Sequence, residues 1–141
     1  MEDIELASSL LEEEKWNLVI VKAGQVLFSS RERGIATFFQ AVKNMDDSLH
    51  NAAVADHIVG LAVAMLCLYA QITSVYAGIA SMGALEMLKG QGMTVTSKKV
   101  VTYISNRDGT DLCPFEKLAG NCQSPSQLFA ALQSLFAKGD Q

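Results

Sequence analysis

The chain has 141 residues, of which 50% are hydrophobic and 18% are charged, and its formal net charge at pH 7 is −4. This composition argues against a disordered polypeptide and predicts one domain, residues 1–141, with a single hydrophobic core. The net negative charge gives no positive surface potential that would attract the phosphate backbone of a nucleic acid, so we expect no nucleic acid partner.

The N-terminal third predicts a helix, a hairpin and a second helix. Apolar residues recur on one face of residues 4–15, which is typical of an amphipathic helix. Residues 16–21 and 26–28 are rich in strand-forming residues and are separated by a short loop that contains Gly24. This spacing predicts two antiparallel strands. Residues 34–42 predict a helix, and the polar segment at residues 46–48 predicts a break after it.

The apolar run at residues 52–70 predicts a buried central helix. Asp56 and His57 interrupt this run near its start, where first-turn amides and the helix dipole favour a negative charge. The uninterrupted part of the run is too short to cross a bilayer, so we expect no membrane partner. The three cysteines lack CxxC spacing and no apolar segment follows Met1, which favours reduced thiols and a cytoplasmic location.

The remaining elements alternate between strands and helices. Residues 73–80 predict a strand, residues 84–88 a helix, and residues 93–96 and 100–104 two further strands. Two closing helices share one start signal, CPFE at residues 113–116 and SPSQ at residues 124–127, with proline at the first helical position. The alternation predicts an α/β fold of three layers, αβα, around a mixed sheet of about five strands.

Asp56 and Cys113 are the candidate catalytic residues. A buried carboxylate without a partner costs several kcal/mol, so its presence at Asp56 has either a structural or a chemical reason, with His57 beside it as a ligand-binding candidate. A helix N-terminus lowers the pKa of a thiol, which makes Cys113 a candidate nucleophile. The simpler interpretation is that Asp56 and Cys113 are helix caps, with Glu116 completing a capping box. Cys67 lies in the apolar run and is predicted to pack in the core.

Two polar loops are candidate ligand-binding segments. Ser29, Ser30, Arg31 and Arg33 precede a predicted helix, where hydroxyls, guanidinium groups and amides together bind anions. Asn106 and Arg107 lie just before Cys113 and are candidates for the same pocket. The alternative is that both segments are ordinary polar turns with solvated side chains.

The sequence predicts no metal site and no cofactor. His50 and His57 lack the i,i+4 spacing of paired zinc ligands, and Cys113 and Cys122 are far apart. The chain also has no Walker loop, no GxGxxG motif and no GxSxG motif.

Three segments resemble an uncharacterised prokaryotic family of small single-domain proteins with no established function. They are residues 18–30 (LVIVKAGQVLFSS), 54–60 (VADHIVG) and 104–116 (ISNRDGTDLCPFE). The resemblance covers nearly the whole chain and implies a cytidine-deaminase-like fold. It implies candidate site positions at Asp56, Asn106, Arg107, Cys113 and Glu116, whereas His57 and Leu61 depart from the family, in which lysine is expected.

Zinc deaminases pair an HxE motif at one helix start with PCxxC at the next. This chain has ADHI at residues 55–58 and SMGAL at residues 81–85, the positions compared with those motifs, so zinc-dependent deamination is not expected. The leading hypothesis is a metal-independent protein that binds a small polar ligand, such as a nucleotide or related metabolite. Asp56 would accept a hydrogen bond, and Arg31 or Arg33 would hold the anionic part.

Three alternatives stay open. The chain would be a noncatalytic scaffold if Asp56 and Cys113 serve only as caps. It would be a deaminase with a rearranged metal site if His57, Cys113 and Cys122 come together, or a hydrolase with a rearranged site. An apolar surface would also favour a homo-oligomer.

Overall fold

A computed structural model describes residues 1–139 of the chain. Residues 1–139 contain six helices and five strands, which alternate from α2 to α5, and one 3₁₀ turn, Asp46–Leu49, follows the second helix. The elements in chain order are α1 (Asp3–Glu13), β1 (Leu18–Lys22), β2 (Gln25–Ser30), α2 (Ile35–Met45), β3 (Ala53–Val59), α3 (Leu61–Tyr69), β4 (Ser74–Ser81), α4 (Met82–Gly90), β5 (Thr94–Val101), α5 (Pro114–Gly120) and α6 (Pro125–Gly139).

The strands form one mixed sheet in the order β2-β1-β3-β4-β5. Strand β1 is antiparallel to both β2 and β3, whereas β3, β4 and β5 are mutually parallel. The predicted hairpin is confirmed, and its turn uses positive φ angles at Ala23 and Gly24. The carboxylate of Asp3 accepts hydrogen bonds from both turn amides at 2.9 Å, so α1 anchors the hairpin.

The apolar run is a strand followed by a helix, and the prediction of one helix over residues 52–70 is wrong. Residues 53–59 form β3, and Gly60 separates it from α3. Strand β3 lies in the middle of the sheet and pairs with β1 and β4 on its two sides. Its first residues are buried on both faces, so they lack the polar alternation that identifies a half-buried strand.

The prediction of two separate strands near residue 100 is also wrong. Residues 94–101 form the single strand β5, which pairs with β4 along its length. The two lysines at residues 98 and 99 lie in the middle of this strand and are exposed. Strand β5 is at the edge of the sheet, where lysine is tolerated and discourages pairing with other chains.

The sheet is covered by helices on both sides, as the three-layer prediction requires. Helix α1 covers one face, where Ala7 and Leu11 pack with Val19, Val21 and Ala55. The other face carries the larger core, to which helices α2 to α6 all contribute. Aromatic rings join these helices, and the rings of Tyr69 and Phe129 stack with centroids 4.3 Å apart. No helix within residues 1–139 is long and apolar enough to span a membrane.

Helix α6 offers a direct test of this packing. Leu132 is fully buried whereas Leu135, three residues later, is 47% exposed. We expect Leu132→Ala to lower the free energy of unfolding by about 2–5 kcal/mol, because it removes buried methyl groups and leaves a cavity. The matched control Leu135→Ala should change it by less than about 0.5 kcal/mol. Equal effects in chemical denaturation would contradict the position of α6.

Candidate functional site

A cavity of about 680 Å³ lies at the carboxyl end of β3. Its walls come from distant segments: the start of β1, the loop before α2, the first turn of α3, and the loop between β5 and α5. Seven residues predicted from the sequence line it, namely Arg33, Asp56, His57, Asn106, Arg107, Cys113 and Glu116. The structure therefore brings the two candidate catalytic residues, Asp56 and Cys113, to the same cavity.

Ser29, Ser30 and Arg31 are not among the residues that line the cavity, contrary to the predicted anion subsite. The guanidinium of Arg31 lies 3.7 Å from the centroid of the Trp16 ring and donates to the Glu14 carbonyl at 3.2 Å. The Ser30 hydroxyl accepts a hydrogen bond from the Glu32 amide, which is a local turn contact. Of this segment, Arg33 is the predicted residue that reaches the cavity.

Asp56 lies in β3, so its predicted place in the first turn of a helix is wrong. It pairs with Leu18 of β1 and with Ala77 of β4, and its side chain is half-buried. Burial raises the pKa of the Asp56 carboxyl to about 8, although the backbone amides of Ile58 and His57 partly oppose that effect. No ion pair within residues 1–139 involves Asp56. The carboxyl group is therefore mostly protonated at neutral pH.

His57 is also a strand residue rather than a helix residue. Consecutive residues of a strand point to opposite faces, so His57 and Asp56 do not act as a side-by-side pair. The His57 amide donates to the Asn17 carbonyl at 3.0 Å, and the ring passes over Gly78 of β4. A Cβ atom at residue 78 would lie 2.8 Å from the His57 carbonyl oxygen, so glycine is required there.

Glu116 caps a different helix from the one predicted. Its two carboxylate oxygens accept hydrogen bonds from the Leu61 amide at 2.8 Å and the Ala62 amide at 3.0 Å. These amides belong to the first turn of α3, where a negative charge is favoured. A Cβ atom on Gly60 would lie 2.2 Å from the Glu116 carboxylate, so this contact also requires glycine. The predicted capping box in α5 is therefore wrong.

Cys113 precedes Pro114 at the start of α5, as predicted, and it is half-buried in the cavity wall. Its side chain makes no capping hydrogen bond, whereas its carbonyl accepts from the Glu116 and Lys117 amides. By contrast, the Ser124 hydroxyl does cap α6 by accepting from the Gln127 amide at 3.2 Å. The resemblance between the two start signals therefore does not extend to the side chain of Cys113.

The loop before Cys113 is built around Asn106. The Asn106 side-chain oxygen accepts a hydrogen bond from the Thr110 amide at 3.1 Å, and its backbone amide donates to the Asp111 carbonyl at 2.8 Å. Asp111 in turn pairs with Lys117 of α5. Arg107 is exposed at the mouth of the cavity. Asn106 thus shapes the loop that carries Arg107.

Sequence reasoning missed other residues that line the cavity, among them Asn17, Glu32 and Gly60. The signal for Gly60 is an isolated glycine inside an apolar run, which marks either an element boundary or a close approach. Within residues 1–139, no three His, Cys, Asp or Glu side chains are grouped so that they could hold a metal ion. The alternative ligand set of His57, Cys113 and Cys122 therefore does not come together in this structure.

The contact between Gly60 and Glu116 generates one prediction. We expect Gly60→Ala to lower the free energy of unfolding by about 1–3 kcal/mol, because the new methyl group displaces the carboxylate from the α3 amides. Glu116→Ala should lower the free energy of unfolding by a similar amount. The double variant should cost much less than the sum of the two, since both remove the same cap.

The matched control is Gly83→Ala in the first turn of α4, where an added Cβ atom meets nothing within 4 Å. This change should be neutral or stabilising by up to about 1 kcal/mol. Additive losses in the Gly60 and Glu116 variants, measured by chemical denaturation, would contradict a shared cap.

The environment of Asp56 predicts a pH dependence. Its pKa is raised in the folded protein, so its contribution to stability is fully present below about pH 4 and is lost as the pH rises towards 8. We expect Asp56→Asn to gain roughly 3–5 kcal/mol over wild type between pH 4 and pH 9, because asparagine does not ionise. Denaturation of both proteins at each pH measures this difference. A difference that does not change with pH would show that Asp56 has an ordinary pKa.

Comparison with known proteins agrees with this architecture. The crystal structure at 2.70 Å resolution of a DUF1893 family protein (TM1506) from Thermotoga maritima is similar, with a TM-score of 0.84 and 24% sequence identity. The similarity covers 94% of this chain and 88% of that one, and at this identity it shows the fold alone. No curated protein matches significantly. A domain of unknown function, DUF1893 (TM1506), matches residues 6–136, and the chain therefore belongs to the DUF1893 family.

Proposed function

We propose that the cavity binds a small polar ligand with an anionic group, such as a nucleotide or related metabolite. The observation that carries this proposal is the convergence of Arg33, Asp56 and Arg107, from three separate segments, on one cavity. A volume of about 680 Å³ is in the range of small-molecule sites, which are mostly apolar with a few polar groups.

The charges at the cavity favour an anion. Arg33 and Arg107 are exposed at its mouth, and neither forms an ion pair within the described part of the chain, residues 1–139. The acids deeper in the cavity do not oppose an anion strongly, because Asp56 is mostly neutral and Glu116 is bound by two amides. Glu32 and Asp108 remain as exposed acids near the mouth, where solvent screens their charge.

We also propose that the fold is cytidine-deaminase-like. The order of elements supports this, with a helix and a hairpin followed by alternating helices and strands. Residues 55–58, which the sequence comparison set against HxE, lie in β3 and not at a helix start. The starts of α2 and α3, GIAT at residues 34–37 and GLAV at residues 60–63, also contain no His, Glu or Cys to match the HxE and PCxxC motifs of that enzyme class. The carboxylate at the start of α3 comes instead from Glu116. Ligand binding without zinc-dependent deamination is the function that this arrangement favours.

A noncatalytic scaffold is the second candidate. Two residues that match the family pattern, Asn106 and Glu116, have structural contacts that require no ligand. Under this alternative, Asp56→Ala and Cys113→Ser change stability by at most about 2 kcal/mol and affect no ligand. The binding experiment below separates the two candidates.

We expect calorimetric titration with a panel of nucleotides, sugar phosphates and small carboxylates to identify binders. Arg33→Ala and Arg107→Ala should each weaken binding at least fivefold, because each removes a cation at the cavity. Arg31→Ala is the matched control, since Arg31 is engaged with Trp16 and should leave the dissociation constant unchanged. Absence of binding across the panel would favour the scaffold.

A further inference from the structure

The carboxyl group of Asp56 is in an environment that favours its neutral form. Leu18 of β1 and Ala77 of β4 are its neighbours in the sheet, and both are buried. The first turn of α3 contributes Ala62 and Val63 to the same cavity. Cys67, in the same helix, is fully buried. Apart from the backbone amides of His57 and Ile58, which favour the ionised form, the surroundings within the protein are thus apolar, and the cavity is the open side.

The ionisable groups around the cavity do not offset this desolvation. Glu32, Arg33, Arg107 and Asp108 are exposed and lie at the mouth. Glu116 is engaged with the α3 amides, and Cys113 is a half-buried thiol in the wall. His57 borders the cavity, but its side chain belongs to the face of β3 opposite that of Asp56. None of these groups forms an ion pair with Asp56 within residues 1–139.

A neutral carboxylic acid recognises a different ligand from a carboxylate. It presents an O–H donor beside a C=O acceptor, whereas the ionised form only accepts. The complement of the neutral form is a planar edge on which an N–H lies next to a C=O. Such an edge would be bound by two hydrogen bonds, whereas an ionised Asp56 would repel its carbonyl oxygen.

We propose that the ligand is a small anion that presents an amide or lactam edge, a neighbouring N–H and C=O, to the carboxyl group of Asp56. This inference rests on the proposed function, because it assumes that the cavity binds an anion through Arg33 and Arg107. It adds the chemistry of the ligand's uncharged end. Because only the neutral carboxyl group of Asp56 presents an O–H donor, ligand affinity should also fall as this group ionises.

The experiment compares probes that differ in one feature. Uridine 5′-monophosphate carries a phosphate and a lactam edge, its N3-methyl derivative lacks the N–H, and ribose 5-phosphate lacks the ring. Orotate differs in more than one feature, because it lacks both ribose and phosphate and carries a carboxylate on the ring; it tests whether a carboxylate can supply the negative charge. We expect N3-methylation to weaken binding at least tenfold at pH 7, because the donor is lost and the methyl group obstructs the edge.

The pH series uses Asp56→Asn as the matched variant. Asparagine keeps a donor beside an acceptor but does not ionise, so it should bind uridine 5′-monophosphate or orotate within about threefold of wild type at pH 7. Between pH 7 and pH 9 wild-type affinity should fall about tenfold relative to the variant. Ionisation of the ligand's own N–H affects binding to both proteins equally, so comparison with the variant removes its effect. Thermal unfolding of both proteins verifies that each is folded.

Each result decides between distinct conclusions. Equal binding of ribose 5-phosphate and uridine 5′-monophosphate would overturn the amide-edge inference and leave anion binding intact. The same conclusion follows if N3-methylation has no effect, if wild type and Asp56→Asn respond equally to pH, or if panel anions bind but neither lactam probe does. Failure of every anion in the broader panel would overturn the proposed function itself.

Discussion

The capping of α3 by Glu116 is the contact on which the arrangement of the cavity depends. Two carboxylate oxygens bind the first-turn amides of the central helix, and Gly60 leaves the space for them. Glu116 belongs to α5, so the same contact fixes the start of that helix and the position of Cys113 in the cavity wall. Two backbone amides that a helix would otherwise leave unpaired thereby donate to a side chain that is 55 and 54 residues away in sequence.

Asp56, unlike Glu116, makes no evident contribution to the stability of the fold. A carboxyl group between buried apolar neighbours opposes folding once it ionises, and no cation within residues 1–139 pairs with it. Such a group costs least when it is neutral and adjoins a cavity. Costs of this kind are concentrated at functional sites, which is why Asp56 rather than Glu116 is central to the proposed ligand site.

Local patterns predicted several elements because short-range chemistry controls them. The hairpin followed from its loop, α1 from its apolar periodicity, and the two closing helices from proline at the first helical position. Hydrophobic periodicity gave a wrong prediction at residues 52–70. The central strand there is buried on both faces, so it lacks the polar alternation of a half-buried strand, and an apolar helix follows it directly. Periodicity failed again in β5, because Lys98 and Lys99 are acceptable at an edge.

The sequence by itself determined the α/β class and seven of the residues that line the cavity. Its number of five strands agrees with the structure because the missed strand β3 offsets the division of β5 into two. Tertiary structure alone decided which of them have partners. Arg31 and Arg33 are two residues apart, yet one stacks on Trp16 and the other lines the cavity. Glu116 has a local capping signature but binds α3 instead. The reason is that a side chain's partner depends on which distant segments approach it, and local pattern carries no information about that approach.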